Sequence, residues 1–394
     1  METKTIRELC DIVVDCPHST PKWTTSGKIV IRNNNIKKGR IDFSSPSYTD
    51  DEHFNLRVKR AIPRSGDIII TREAPMGEVG MIPERIECCL GQRMVLLRTN
   101  PDICDNYYLL YSLQSKFVQH QISWSEGTGT TVSNLRIPHL EQLKIPYVPL
   151  KKQRLVASVL KSIEEKIILN EQINNNLLQQ ASSIFKAWFI DPDISEHEDW
   201  QMVTLEDITS LVTRGIAPKY SDESDQIVIN QKCIRDHMLD LSPARKHLPK
   251  KINEKWLKKG DLLINSTGQG TLGRAAQIWF DPVNMTVDSH VTIVRPKNEK
   301  LIYYIGIWGI LHEREIESLH TGSTGQTELP RDRVKGLELL LPDENALDQF
   351  NSVVKPITEF IISNQNENIR LADLRDSLLP KLMSGEIDVS DINF

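Results

Sequence analysis

Six cysteines are too few and too scattered to organise this 394-residue chain. Cys10, Cys16, Cys88, Cys89, Cys104 and Cys233 form no C-x-x-C, and five of the six lie in the first half. A disulfide framework or zinc site is not expected, so the thiols read as buried or free residues of a reducing cytosol. Long apolar runs are missing too. No stretch approaches 18 uninterrupted apolar residues, and the start, Met-Glu-Thr-Lys-Thr-Ile-Arg, has no signal-peptide core, so a cytoplasmic protein without a membrane span is expected. Nucleotide-binding loops are also lacking. Gly268-Gln-Gly270-Thr-Leu-Gly273 spells G-x-G-x-x-G, but Arg274 to Phe280 alternates like a strand where a dinucleotide fingerprint must open a helix. It reads as a turn or loop. The run from Gly127 to Thr131 has no following Lys for a Walker A loop. Asp191-Pro192-Asp193 lacks the second Pro and the aromatic of an adenine methyltransferase loop, and no Pro-Asp pair precedes the Asp/Glu-x-Lys of a metal-dependent nuclease. The chain is expected to carry no catalytic machinery, cofactor or metal of its own.

What the chain has is itself, twice. Val156, Leu160, Ile163, Ile167, Asn170, Asn174, Leu177, Ala181, Ile184 and Trp188 follow one another at alternating steps of three and four. Moving forward 194 residues gives Phe350, Val354, Ile357, Ile361, Asn364, Asn368, Leu371, Arg375, Leu378 and Leu382. A seam of period 3.5 suits a helix lying along a partner helix, and a buried Asn there fixes register at a cost in stability. Upstream, Thr5 to Leu9 answers Thr204 to Ile208, and Val30-Ile31-Arg32-Asn33 answers Val228-Ile229-Asn230-Gln231. Gly66 to Ile70 answers Gly260 to Ile264, Tyr107-Tyr108 answers Tyr303-Tyr304, and Gly127 to Thr131 answers Gly322 to Thr327. Apolar anchors are shared while the polar residues between them differ. Such a molecule reads as two half-sites on one scaffold.

Hydrophobic content of 39% and charged content of 26% are ordinary for a globular protein, and 394 residues allow two or three domains. The net charge of −5 hides two basic blocks. Residues 22–72 hold 11 Lys/Arg against 5 acids, and residues 228–274 hold 10 against 4, so each carries +6. One such block reads equally well as a solvated face. Two at equivalent positions favour a surface that tracks phosphates.

The punctuation predicts strands at 28–32, 67–71 and 94–97, and again at 226–230, 261–265 and 291–294. One helix per half is expected, at 107–122 and 303–319. A Pro-marked strand, 143–149 or 337–342, then leads into a long helix, 151–189 or 343–383. At about 1.5 Å per residue each long helix is a rod near 60 Å. Residues 191–199 read as the polar linker between the halves.

These features resemble the specificity subunit of type I restriction-modification systems. The resemblance spans essentially the full length. It rests on the order domain, long helix, domain, long helix, on the Gly/Thr entry runs, and on the ending Leu378-Leu-Pro-Lys-Leu-Met-Ser-Gly-Glu-Ile-Asp388. It implies an α+β fold with an internal pseudo-twofold repeat. Residues 1–150 would be a first target recognition domain and 151–190 the first conserved helix, or spacer. Residues 191–342 would hold the linker and a second recognition domain, and 343–394 the second helix and tail. The helices would pair as an antiparallel coiled coil through Ile163, Ile167, Asn170, Asn174 and Leu177 against Ile357, Ile361, Asn364, Asn368 and Leu371. The resemblance also implies a bipartite double-stranded DNA target and two methyltransferase subunits, with restriction subunits where present. S-adenosylmethionine, ATP and Mg would belong to those partners.

Candidate base readers are Arg72, Gln92 and Arg93 in the first domain and Ser266, Gln269 and His290 in the second, because Arg and Gln offer paired hydrogen bonds to guanine and adenine. Arg32, Asn33, Lys37, Asn230, Lys232 and Lys251 are candidates from the repeated basic blocks. Thr128, Thr130, Thr131, Ser323, Thr324 and Gln326, in the Gly/Thr runs, would either meet phosphates or serve as plain connectors. Two other classes stay open: a coiled-coil scaffold without DNA recognition, and a single-chain enzyme with an unrecognised motif. A related methyltransferase system outside type I is a variant of the first reading.

Overall fold

The computed structural model describes residues 2–37, 39–124, 134–192, 199–248, 251–322 and 327–389. The chain divides into two units, Met1–Ile168 with Asn368–Phe394, and Leu169–Glu367. The division cuts both long helices, so each unit owns the start of one and the end of the other.

In the first unit, a four-stranded antiparallel sheet runs in the order Cys10–Asp15, Met94–Thr99, Ile68–Thr71, Val79–Met81. Its central strands are continuous apolar runs because both faces are covered. With side chains alternating across the sheet, Ile68, Ile70, Val95 and Leu97 enter one apolar cluster while Ile69, Met94 and Leu96 enter another. The first cluster is closed by helices Asn106–Gln114 and Lys116–Trp124. The second is closed by a three-stranded sheet, ordered Ser47–Thr49, Lys28–Ile31, Cys88–Leu90, and by the hairpin Ile36–Lys37 with Arg40–Ile41. Thr3–Thr5 pairs with Lys144–Pro146, and Thr5 with Glu8 forms a capping box on the short helix Ile6–Leu9.

The second unit repeats this strand for strand. Its four-stranded sheet is Thr209–Arg214, Val291–Pro296, Leu262–Asn265, Ala275–Gln277, and its three-stranded sheet is Arg245–Lys246, Ile227–Ile229, Met285–Val287. Leu262, Ile264 and Val294 face one cluster; Leu263, Val291 and Ile293 face the other. The same ion pair locks both sheets. Arg98 donates to Asp67 and Arg295 to Asp261, at 2.7–2.8 Å through two nitrogens each. The preceding Gly66 and Gly260, at φ +84° and +92°, leave no room for a side chain against Asn106 and Ile302.

The structure corrects the single helix expected after each sheet. Ser115 adopts an extended conformation (ψ 147°), ends the first helix and places its hydroxyl where Val118 N donates to it. His312 breaks the second copy between Ile302–Leu311 and Glu313–Ser318, its ring stacked on Trp308. The long helices, Leu150–Phe189 and Glu344–Ser384, match expectation.

Within each unit the two long-helix segments meet head to tail. In the first, Ile167 accepts from Asn368, Glu164 from Arg375 and Asp388 from Lys152. In the second, Asn170 donates to Glu367 at 2.7 Å, Asn364 donates to Asn174 at 2.8 Å, and Phe185 packs on Phe350. The buried stripe does not keep the expected 3.5 period. Ten steps carry it from Gln153 to Phe189, 36 residues, through Leu178 and Phe185 rather than Leu177 and Ile184. That mean of 3.6 is the period of a straight helix, and a strict heptad drifts about 20° per repeat from it. Leu177, Ile163, Ile357 and Leu371 are accordingly only half-buried, whereas Ile167 and Ile361 are buried.

Candidate nucleic-acid interface

In the first unit the central strands deliver Arg72 and Arg93 side by side, with Arg72 N donating to the Arg93 carbonyl at 2.8 Å. Their side chains diverge. The Arg72 guanidinium, 11% exposed, binds both oxygens of Asp15 at 2.9 Å, the Leu135 carbonyl at 2.9 Å and Asn134 at 3.2 Å. Arg72 is thus corrected from base reader to a clamp on the segment that follows residues 125–133. The second unit builds this clamp from the other strand. Arg214, at the position matching Asp15, donates to the Leu329 carbonyl at 2.7 Å and pairs with Glu328. Ser266, which matches Arg72, is fully buried with its hydroxyl 2.5 Å from that of Thr292. It too is corrected, since a buried hydroxyl already paired cannot meet a base edge.

Other candidates do reach the surface. Arg93 is 54% exposed at φ +65°, with its Nε 3.2 Å from Glu73. The Glu73 carbonyl accepts from Asn33, so Asn33 holds a loop. Gln92 ties the loop at 17–20 through the His18 carbonyl and the Thr20 hydroxyl. In the second unit, Gln269 stands exposed in a turn flanked by Gly268 (φ +103°) and Gly270 (φ +72°), confirming a turn where G-x-G-x-x-G was spelled. Exposed His290 shares a 2.8 Å hydrogen bond with Thr267. Asn230 caps a short turn by accepting from Lys232 N and donates to the Pro243 carbonyl, a local role. Lys37, Lys232 and Lys251 are exposed. Thr128, Thr130, Thr131, Ser323, Thr324 and Gln326 lie outside the described residues, as do Lys38 and Lys250.

The two basic blocks are less open than their +6 suggests. Arg57 is buried and donates to four carbonyls, those of Pro17, Ser19, Leu90 and Gly91. Lys28 pairs with Glu87, Arg40 with Glu164, and Lys22 lies 3.4 Å from Asp50. All six cysteines are buried and free, and burial pushes the thiols up, to about 12 for Cys10 and Cys88 and about 11 for Cys89 and Cys233. No helix among the described residues is long and apolar enough to cross a membrane.

Sequence reasoning missed one repeated surface motif. Pro21-Lys22-Trp23-Thr24 and Pro218-Lys219-Tyr220-Ser221 occupy matching places, with Trp23 46% and Tyr220 40% exposed. The signal lay in the open as a four-residue match at an offset of 197, in a stretch without the apolar anchors used to align the halves.

Comparison with known proteins returns one family. The sequence model described as the type I restriction modification DNA specificity domain matches residues 1–179 and again 197–371. The specificity subunit of the type I restriction enzyme MjaIX of Methanocaldococcus jannaschii is 24% identical over 403 residues, covering 96% of this chain and 88% of that protein. The HindI specificity subunit of Haemophilus influenzae is 20% identical over 407 residues, covering 84% and 88%. The crystal structure of a type I system S subunit from M. genitalium aligns with TM-score 0.55 over 97% of this chain and 95% of its own, at 17% identity, a likeness of fold.

Proposed function

Because the chain belongs to the type I restriction modification DNA specificity family, we propose that each of its two α+β domains reads one half of a split double-stranded DNA site. The observation that carries this reading is the repeat itself. The sheets match strand for strand while the residues on the matching rims, Arg93 against His290 and Gln92 against Ser289, differ. One scaffold with two surfaces is what a bipartite target requires, since phosphate contacts position a protein and base contacts specify the sequence.

In this reading the domains are residues 1–150 and 191–342. The long helix at 151–190 and the long helix with its tail at 343–394 supply an antiparallel coiled-coil spacer that converts helix length into half-site spacing. The hydrogen bonds from Asn364 to Asn174 and from Asn170 to Glu367 support a fixed register in that pairing. The chain contributes recognition and no chemistry. Two methyltransferase subunits dock on it with S-adenosylmethionine, restriction subunits bring ATP and Mg, and the complex works in the cytoplasm.

The test is to assemble the chain with its methyltransferase subunits and map adenine methylation on random DNA. Methylation confined to one split motif is expected, with none from the isolated chain. Methyl transfer by the isolated chain, or methylation without a split motif, would overturn the reading.

A further inference from the structure

In each unit an exposed aromatic ring sits at the edge of the small three-stranded sheet, and one backbone hydrogen bond recurs beside it. Thr24 N donates to the Tyr48 carbonyl at 3.1 Å, and Ser221 N donates to the Lys246 carbonyl at 3.2 Å. The carbonyl of the preceding Lys is held as well, Lys22 by the Thr49 hydroxyl and Lys219 by Leu248 N, both at 2.8 Å. Trp23 and Tyr220 are therefore the same position in two copies.

Each ring also carries a guanidinium. The Arg32 guanidinium lies 5.2 Å from the Trp23 centroid, and that of Arg245 lies 3.7 Å from the Tyr220 centroid. The two arginines do not match in the repeat. Arg32 follows strand Lys28–Ile31, whereas Arg245 begins the neighbouring strand Arg245–Lys246. The same pairing of ring and guanidinium has been reached from two different places in the sheet. Arg32, Arg245, Lys22 and Lys219 are all exposed, and Lys22, 65% exposed, would exchange its 3.4 Å contact with Asp50 for a phosphate.

Neither ring belongs to an apolar core cluster, so the fold gains little from keeping large aromatics there. An aromatic face near a guanidinium holds it by cation–π attraction, and an exposed guanidinium still has N–H donors to offer a phosphate oxygen. We propose that these two stations, Lys22-Trp23 with Arg32 and Lys219-Tyr220 with Arg245, are equivalent clamps on the sugar–phosphate backbone of target DNA. The inference rests on the reading given under Proposed function. The reason for a clamp rather than a reader is the repeat. The domains differ where they specify, so an exposed feature kept in both serves what both half-sites share, and that is the backbone.

The experiment uses the chain assembled with its methyltransferase subunits, a library of split sites, and a salt titration on specific and scrambled duplexes. The variants are K22Q with R32Q, K219Q with R245Q, and separately Trp23→Leu and Tyr220→Leu. Each phosphate contact contributes about −0.9 to the log–log salt slope. Each cation pair should therefore flatten the slope by about 1.8 and weaken specific and scrambled DNA by the same factor, with base preferences unchanged. The ring variants should weaken binding in the same even-handed way, and unchanged thermal unfolding will show that they are folded. A preference altered within one half-site would make the station a reader and overturn the clamp. Unchanged affinity and slope in a complex that still recognises its site would overturn it as well. Loss of all site preference in the unmodified complex would instead refute the functional reading beneath it.

Discussion

Replacing Asn364 by Leu removes the amide that donates to Asn174 Oδ1 across 2.8 Å. Both residues are nearly sealed, at 5% and 3% exposed, so water cannot substitute. Asn174 keeps only a long bond from its own amide to the Ile361 carbonyl, at 3.4 Å. Loss of the bond removes about 0.5–1.5 kcal/mol, and an oxygen left buried without a donor adds a penalty of about 1–3 kcal/mol. After the gain from the buried Leu, the single variant should lose roughly 2 kcal/mol. Converting Asn174 to Leu as well removes the stranded group, and the double variant should return to within about 1 kcal/mol of the parent. The cycle therefore predicts strong non-additivity. Urea unfolding of the four proteins by far-UV circular dichroism measures it, with the midpoint shift read at constant slope. A single variant as stable as the parent would refute the claim that this amide pair is sealed and paired. So would a double variant costing the sum of the two singles.

Arg72→Met should lower stability by roughly 2–3 kcal/mol, less than the 3–5 of a fully buried pair because Asp15 is partly exposed, and should leave the base preference of the assembled complex unaltered. A changed preference at one position would restore Arg72 as a reader. Changing Arg93 should relax one half of a split site only, and His290 the other half only, by roughly 1–3 kcal/mol at the affected base in a binding screen. Glu313, hydrogen-bonded to His237 at 3.1 Å, raises that imidazole above its ordinary 6.5. Folded protein then holds the proton more tightly than unfolded, so the contribution is full below about pH 6.5 and is lost as pH rises through the elevated value. Thermal unfolding between pH 6 and 8 should show this slope in the parent and not in H237Q.

The sequence by itself determined the duplication, the element types and the class of activity. Apolar periodicity is a local property, and a pattern repeated in order needs no coordinates to be seen. The runs at 67–71 and 261–265 announced strands, and matched Asn170/Asn174 and Asn364/Asn368 announced a polar register in the helices. What the tertiary structure alone decided was which polar side chains are spent on the fold. Arg72, Arg57 and Ser266 look in sequence like Arg93 or Lys37, because a residue type carries its donors but not its distance from a carbonyl or carboxylate elsewhere in the chain. Asp15 lies 57 residues from Arg72, and only folding brings them together. Folding also decided the helix stripe. A heptad can be written on paper at 3.5, but Phe185 and Phe189 must meet Tyr304 and Phe350, and an α-helix turns every 3.6 residues. The Trp23 and Tyr220 stations needed both levels. Their repeat is in the sequence, and the guanidiniums that complete them come from places in the sheet that no alignment would pair.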